Sequence, residues 1–252
     1  MDKRAKFSLI LVVELILWNT VLMKPIRLFS VFLHELGHAG VAMLFGGKVH
    51  SFQVNLDESG SVLATSRGWL ASFMIANGGY LGGVLLSVLI LWLGHKYGGK
   101  YVLGATAIVI VSVAAIFSGV SMTLMYAAIF SLAVLLIFMT KNSSVENTAL
   151  EIIGVGALAY GVYDTFVDTI LFELNKVFPI VRGWTSKEVT DAVQLRNLTG
   201  IPAIVWGVAW LGISLMIIYS FFLRHKGKGA AKKTAFRPVQ GNGTNFGPPF
   251  KK

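Results

Sequence analysis

The segment FLHELGHAG, Phe32 to Gly40, sets His34, Glu35 and His38 inside one of the most apolar stretches of the chain. Ionisable groups among apolar neighbours are costly in a membrane and normally serve function. On an α-helix His34 and His38, four residues apart, project from one face a turn apart. Two imidazoles so spaced can reach one tetrahedral ion at Zn–N distances of ~2.0–2.1 Å. Glu35 points to a different angle around the helix and suits the second role in this pattern. It can take a proton from a water that zinc has acidified toward pKa ~7 and hand it to a leaving amine. The chain has only five histidines and twelve acidic residues, so chance clustering of three in one apolar span is a poor explanation.

Two histidines leave the ligand set short, because a catalytic zinc usually takes three protein ligands and keeps one position open. The chain has no cysteine, so thiolate ligation and disulfides are excluded. AYGVYDTFVDTI offers Asp164 and Asp168, again one turn apart in an apolar helix with no cation nearby in sequence. Asp164 is the expected third ligand, with Asp168 as its orienting partner or as the alternative ligand. Asp191 sits in a polar segment where an acidic residue needs no special explanation, and it is the weaker candidate. His50, His95 and His225 fall in loops or the tail and are read as solvated. Glu14, in the first apolar run, is expected to pack against other helices or lie near an interface.

The elements that must hold these residues are membrane helices. Of 252 residues 55% are hydrophobic and 13% are charged, about half the charged share of a soluble domain. The net charge of +10 sits mainly at the ends of apolar runs and in the tail, the membrane pattern rather than a nucleic-acid surface. Apolar stretches of roughly 17–25 residues can cross a bilayer. They run about Phe7 to Met23, Leu28 to Phe45, Trp69 to Leu93, Tyr101 to Phe117, Met122 to Met139, Ala149 to Phe172 and Ile201 to Leu223. The fold class is therefore an all-α polytopic membrane protein of about six to seven transmembrane helices, an integral multi-pass protein among membrane lipids. KVHSFQVNLDESGSVLAT, after Gly46-Gly47, reads either as a β-hairpin turning at Asp57–Gly60 or as an ordinary loop. Thr190-Asp191 could cap a short helix in the polar segment Glu173 to Gly200. Residues 1–26 form an N-terminal membrane segment or signal anchor, 27–223 the membrane-embedded domain, and 224–252 a basic tail expected to be disordered along anionic headgroups.

Glycines recur where helices must approach. Gly78/Gly82 and Gly79/Gly83 give the small-xxx-small spacing of close helix contact, and Gly37 and Gly40 offer the same on the motif helix. Asn77 could bond either a substrate backbone or another helix.

FLHELGHAGVAMLFGGKV, the hairpin segment, NGGYLGG, AYGVYDTFVDTI, TDAVQL and TGIPAIVWGVAW together resemble the site-2-protease type of intramembrane zinc metalloprotease. The resemblance runs from about Leu28 to Trp210, in the branch of small multi-pass peptidases with an HELGH helix. It implies zinc held by His34, His38 and an aspartate of a later membrane helix, and Glu35 as catalytic base. It also implies a hairpin that binds an unwound substrate strand by β-addition, and a transmembrane or membrane-adjacent protein substrate. No Leu-Asp-Gly segment occurs, so the choice between Asp164 and Asp168 stays open. Two other functions fit the same residues: a non-proteolytic membrane chaperone or scaffold, and a metal-ion transporter using the His/Asp set. The intact glutamate speaks against the first, and the unbroken motif helix against the second.

Overall fold

A computed structural model describes residues 3–119, 121–178, 181 and 190–224. Helix α1 spans Lys3–Leu17 and α2 spans Lys24–Leu44, with a single 3₁₀ turn between them. Pro25 opens α2, where its missing N–H costs nothing. Gly46, at φ 74°, closes it in the left-handed conformation that suits glycine. Strands β1 (Val49–Val54) and β2 (Gly60–Ala64) follow as an antiparallel hairpin. Five further elements are helical: α3 (Trp69–Tyr97), α4 (Gly99–Phe117), α5 (Ser121–Met139), α6 (Ser143–Thr165) and α7 (Phe172–Val177). A π-helical turn, Phe166–Leu171, joins α6 to α7 as one continuous apolar rod. The short α8 (Asp191–Thr199) and the long α9 (Ala203–Arg224) complete the described chain.

Among the described residues, five helices are long and apolar enough to cross a membrane: α3, α4, α5, the α6–α7 rod and α9. The expected first two spans are helices but fall outside that set. α1 has 15 described residues, about 22 Å at 1.5 Å per residue, against a hydrocarbon core of ~30 Å. α2 is long enough at 21 residues, but Lys24, Arg27 and the motif residues themselves dilute its apolar character. The reading of 225–252 as a disordered tail, and His225 with it, lies outside the described residues.

The hairpin is real, and it is not a surface appendage. Its buried face carries Phe52 and Val54, because a register irregularity between Val49 and Ser51 shifts the alternation that the first residues suggest. Phe52 packs on Phe32 of α2 with ring centroids 5.0 Å apart. The Val54 amide donates to Thr123 Oγ1 of α5 at 3.0 Å. In the turn, Asp57 accepts from the Ser59 amide at 3.1 Å and from its hydroxyl, which holds the Asp57 carboxyl below the usual range. The main core joins α2, α4, α5 and α6 around this strand, with Phe29 stacked on Phe130 at 5.4 Å.

The seam between α2 and α3 has no room for side chains. A Cβ added to Gly37 would collide with the Gly78 carbonyl and sit 3.3 Å from Gly82 Cα. Gly40, expected to serve the same purpose, faces open space within 4 Å. Asn77 bonds another helix, accepting from Trp210 Nε1 of α9 at 2.8 Å. Glu14 is 3% exposed and lies against Gly156 of α6, packed as expected. Gly37→Ala should therefore destabilise the fold by about 1–3 kcal/mol, since backbone cannot rotate away. Gly40→Ala should be neutral or stabilising by up to about 1 kcal/mol, through helix propensity alone. Thermal unfolding midpoints of the two variants in detergent measure the contrast.

Candidate metal centre

His34 and His38 leave α2 on one face, as their spacing requires, and their rings meet edge to face with centroids 4.8 Å apart. Their Nε2 atoms are 3.1 Å from each other. Each is also 3.1 Å from Asp191 Oδ2. Among the described residues, His34, His38 and Asp191 are the group of histidine and carboxylate side chains with ligand atoms close enough to share one ion.

Asp191 reaches the pair because α8 is docked. Ala192 and Leu195, one helical turn apart, are completely buried against Ala76 and Tyr80 of α3 and Ala203 and Trp210 of α9. That packing fixes the first residue of α8 over the histidines. The helix N-terminus, with its partial positive charge, favours a carboxylate there. Thr190 takes the N-cap position without a side-chain cap bond. The helix expected from Thr190-Asp191 thus forms, but its significance lies in Asp191 itself.

Asp164 and Asp168 do not join the histidines. Asp164 lies in the last turn of α6 and Asp168 in the π-helical turn, where both interact electrostatically with Tyr80 and Tyr160. The Tyr80 ring stands edge-on to His34 at 4.5 Å and packs on Trp210 at 4.9 Å. The carboxylate of this group comes from a short connecting helix, not from the long apolar one. His50 is exposed, as expected. His95 is not solvated: its Nδ1 donates to the Leu91 carbonyl at 2.7 Å, and its Nε2 is 3.8 Å from Glu151.

The donor set is suited to a divalent cation. His38 Nδ1–H donates to the Ile75 carbonyl at 2.7 Å, and a carbonyl can only accept. The neutral ring therefore turns the lone pair of Nε2 toward Asp191 and His34. Three acceptor-capable atoms then converge at equal spacing, and a hydrogen bond can relieve only some of these contacts. A dication relieves all of them. Tetrahedral coordination at ~2.0–2.1 Å implies ligand–ligand separations of about 3.3–3.4 Å, close to those observed. Space is reserved as well: a Cβ on Gly79 of α3 would collide with both Nε2 atoms.

Glu35 is 6% exposed and turns toward the hairpin, its carboxylate against the first residue of β2, Gly60. A buried carboxylate, a candidate ion site one residue away in sequence, and a strand edge are thus assembled around one turn of α2. Residues 7–221 match the family described as Peptidase M50B-like. The chain belongs to that family. The Peptidase M50B-like family is of the site-2-protease type, membrane metallopeptidases that typically use zinc, and the apolar helices place this member in a membrane as a multi-pass protein. Comparison with curated proteins and with solved structures gave no match.

Gly79→Ala should abolish metal binding while Gly83→Ala, whose Cβ meets His34 only at an ordinary 3.5 Å, should retain it. Metal content of the two purified variants, measured after identical zinc loading, tests whether the space beside Gly79 is the ion's.

Proposed function

We propose that this chain is a zinc-dependent intramembrane peptidase, with His34, His38 and Asp191 as zinc ligands and Glu35 as general base. The observation that carries the reading is the convergence of three ligand atoms at 3.1 Å separations beside a buried glutamate. Zinc bound there supplies Lewis acidity to a peptide carbonyl and acidity to water.

The chain's own residues do the rest. Glu35 accepts a proton from the attacking water and delivers it to the amide nitrogen as the C–N bond breaks. The Ile75 carbonyl holds the His38 ring in its ligating orientation through Nδ1. Tyr80, against His34, limits that ring's rotation and keeps bulk water from its face.

Hydrolysis needs an extended peptide, and a transmembrane helix must unwind to present one. Among the described residues β2 pairs only with β1, and its second edge is the place this reading assigns to a substrate strand. Such a strand would add to β2 by main-chain hydrogen bonds, starting beside Gly60 and therefore beside Glu35. α2 runs unbroken from Lys24 to Leu44, unlike the interrupted helices of transport sites.

Glu35→Gln should cut hydrolysis at least 10²–10⁴-fold and leave bound zinc unchanged, because it removes proton transfer and no ligand. The assay is cleavage of a fluorogenic peptide with one transmembrane segment, co-reconstituted in proteoliposomes. Full activity in Glu35→Gln would sink the assignment.

A further inference from the structure

Glu58, at the hairpin tip, has a conformation that its residue type disfavours. Its φ is +70°, the left-handed region where glycine or asparagine is the comfortable choice. Its carboxylate is held from two helices. Arg27 of α2 donates from Nε to Glu58 Oε1 at 2.9 Å and approaches the same oxygen with Nη2 at 2.8 Å. Tyr160 of α6 donates its hydroxyl to Glu58 Oε2 at 3.2 Å. Arg27 also donates from Nη1 to the carbonyl of Trp18, just beyond α1. Trp18 packs on Tyr160 at 5.8 Å.

Two residues after Glu58 the chain reaches Gly60, which has no side chain and touches the site directly. A Cβ there would lie 2.6 Å from Glu35 Oε1, 2.7 Å from Glu35 Cγ and 2.8 Å from Val31 Cγ1. No positive φ demands glycine at this position, so the constraint is space. The position of the hairpin tip therefore sets the wall against which the Glu35 carboxylate rests.

We infer that Arg27, Glu58 and Tyr160 form a clamp that seats Gly60 against Glu35 and so positions the general base. This inference rests on the peptidase reading above. The three are positioning residues: they act through Gly60 and the Glu35 side chain, not on substrate. The clamp also accounts for a glutamate at +70°, since its two carboxylate oxygens satisfy two separate helices at once. It links the base to the junction of α1 and α2 through the Trp18 carbonyl.

In Gly60→Ala the least costly relief is displacement of the Glu35 carboxylate, because that is the flexible group among those it meets. A general base misplaced by about 1 Å loses rate on the order of 10²-fold. The test is kcat, KM and zinc content of wild type, Gly60→Ala, Glu58→Gln, Tyr160→Phe and Arg27→Lys, with the transmembrane reporter peptide in proteoliposomes. Gly60→Ala and Glu58→Gln are expected to lower kcat at least tenfold with KM within threefold and zinc at the wild-type level. Tyr160→Phe removes one hydroxyl and Arg27→Lys keeps the charge, so both should retain intermediate rates. Wild-type kcat in Gly60→Ala and Glu58→Gln would overturn the clamp, as would a rise in KM alone, which indicates strand docking. Loss of zinc together with rate would overturn it too, by placing the damage at the ion site. A wild type that binds zinc but cleaves nothing would refute the peptidase reading itself and the clamp with it.

Discussion

The backbone contact between α2 and α3 at Gly37, Gly78 and Gly82 governs everything built around it. Lipid gives helices no hydrophobic reason to associate, so close van der Waals packing of small residues has to hold them. That contact brings Gly79 up to the two imidazoles and the Ile75 carbonyl within reach of His38. A single methyl group in the seam would separate the helices and open the site. The same closeness leaves beside the imidazoles a gap that only a glycine can border.

On the adjoining face of α2 the hairpin performs the complementary task. Phe52 and Val54 insert it among the helices, and the tip is tied down by ionic and hydroxyl contacts. One face of α2 therefore meets α3 and α8, which gather ligand atoms, while the neighbouring face meets β2, which borders the base. Placing the two histidines and the glutamate at positions 34, 38 and 35 of one helix divides the roles by angle.

Much of this was legible in the residues. His34, Glu35 and His38 on an apolar helix and the glycine spacing of α3 follow from local periodicity, whereas the segment after Gly46-Gly47 read equally as a hairpin or a loop because the irregularity between Val49 and Ser51 breaks its alternation. Asp191 did not stand out, because a carboxylate in a polar segment has nothing anomalous about it. Its signal was indirect: Ala192 and Leu195 one turn apart after Thr190, a small buried face on a helix too short to be conspicuous. Asp164 and Asp168 stood out for the opposite reason, being charges in an apolar run. Burial of charge marks a position as needing a partner, but it does not say which partner. Glu58 and Gly60 had even less to show, since their role lies in contacts with residues roughly thirty to a hundred positions away and, for Glu58, in a backbone angle.

The measurement that bears most directly on the metal centre is zinc per chain in detergent-purified wild type, Asp191→Ala, Asp164→Ala and Asp168→Ala. About one zinc is expected in wild type, retained in Asp164→Ala and Asp168→Ala and lost in Asp191→Ala. Zinc retained in Asp191→Ala but lost in Asp164→Ala or Asp168→Ala would contradict the assignment and return the third ligand to the long apolar helix.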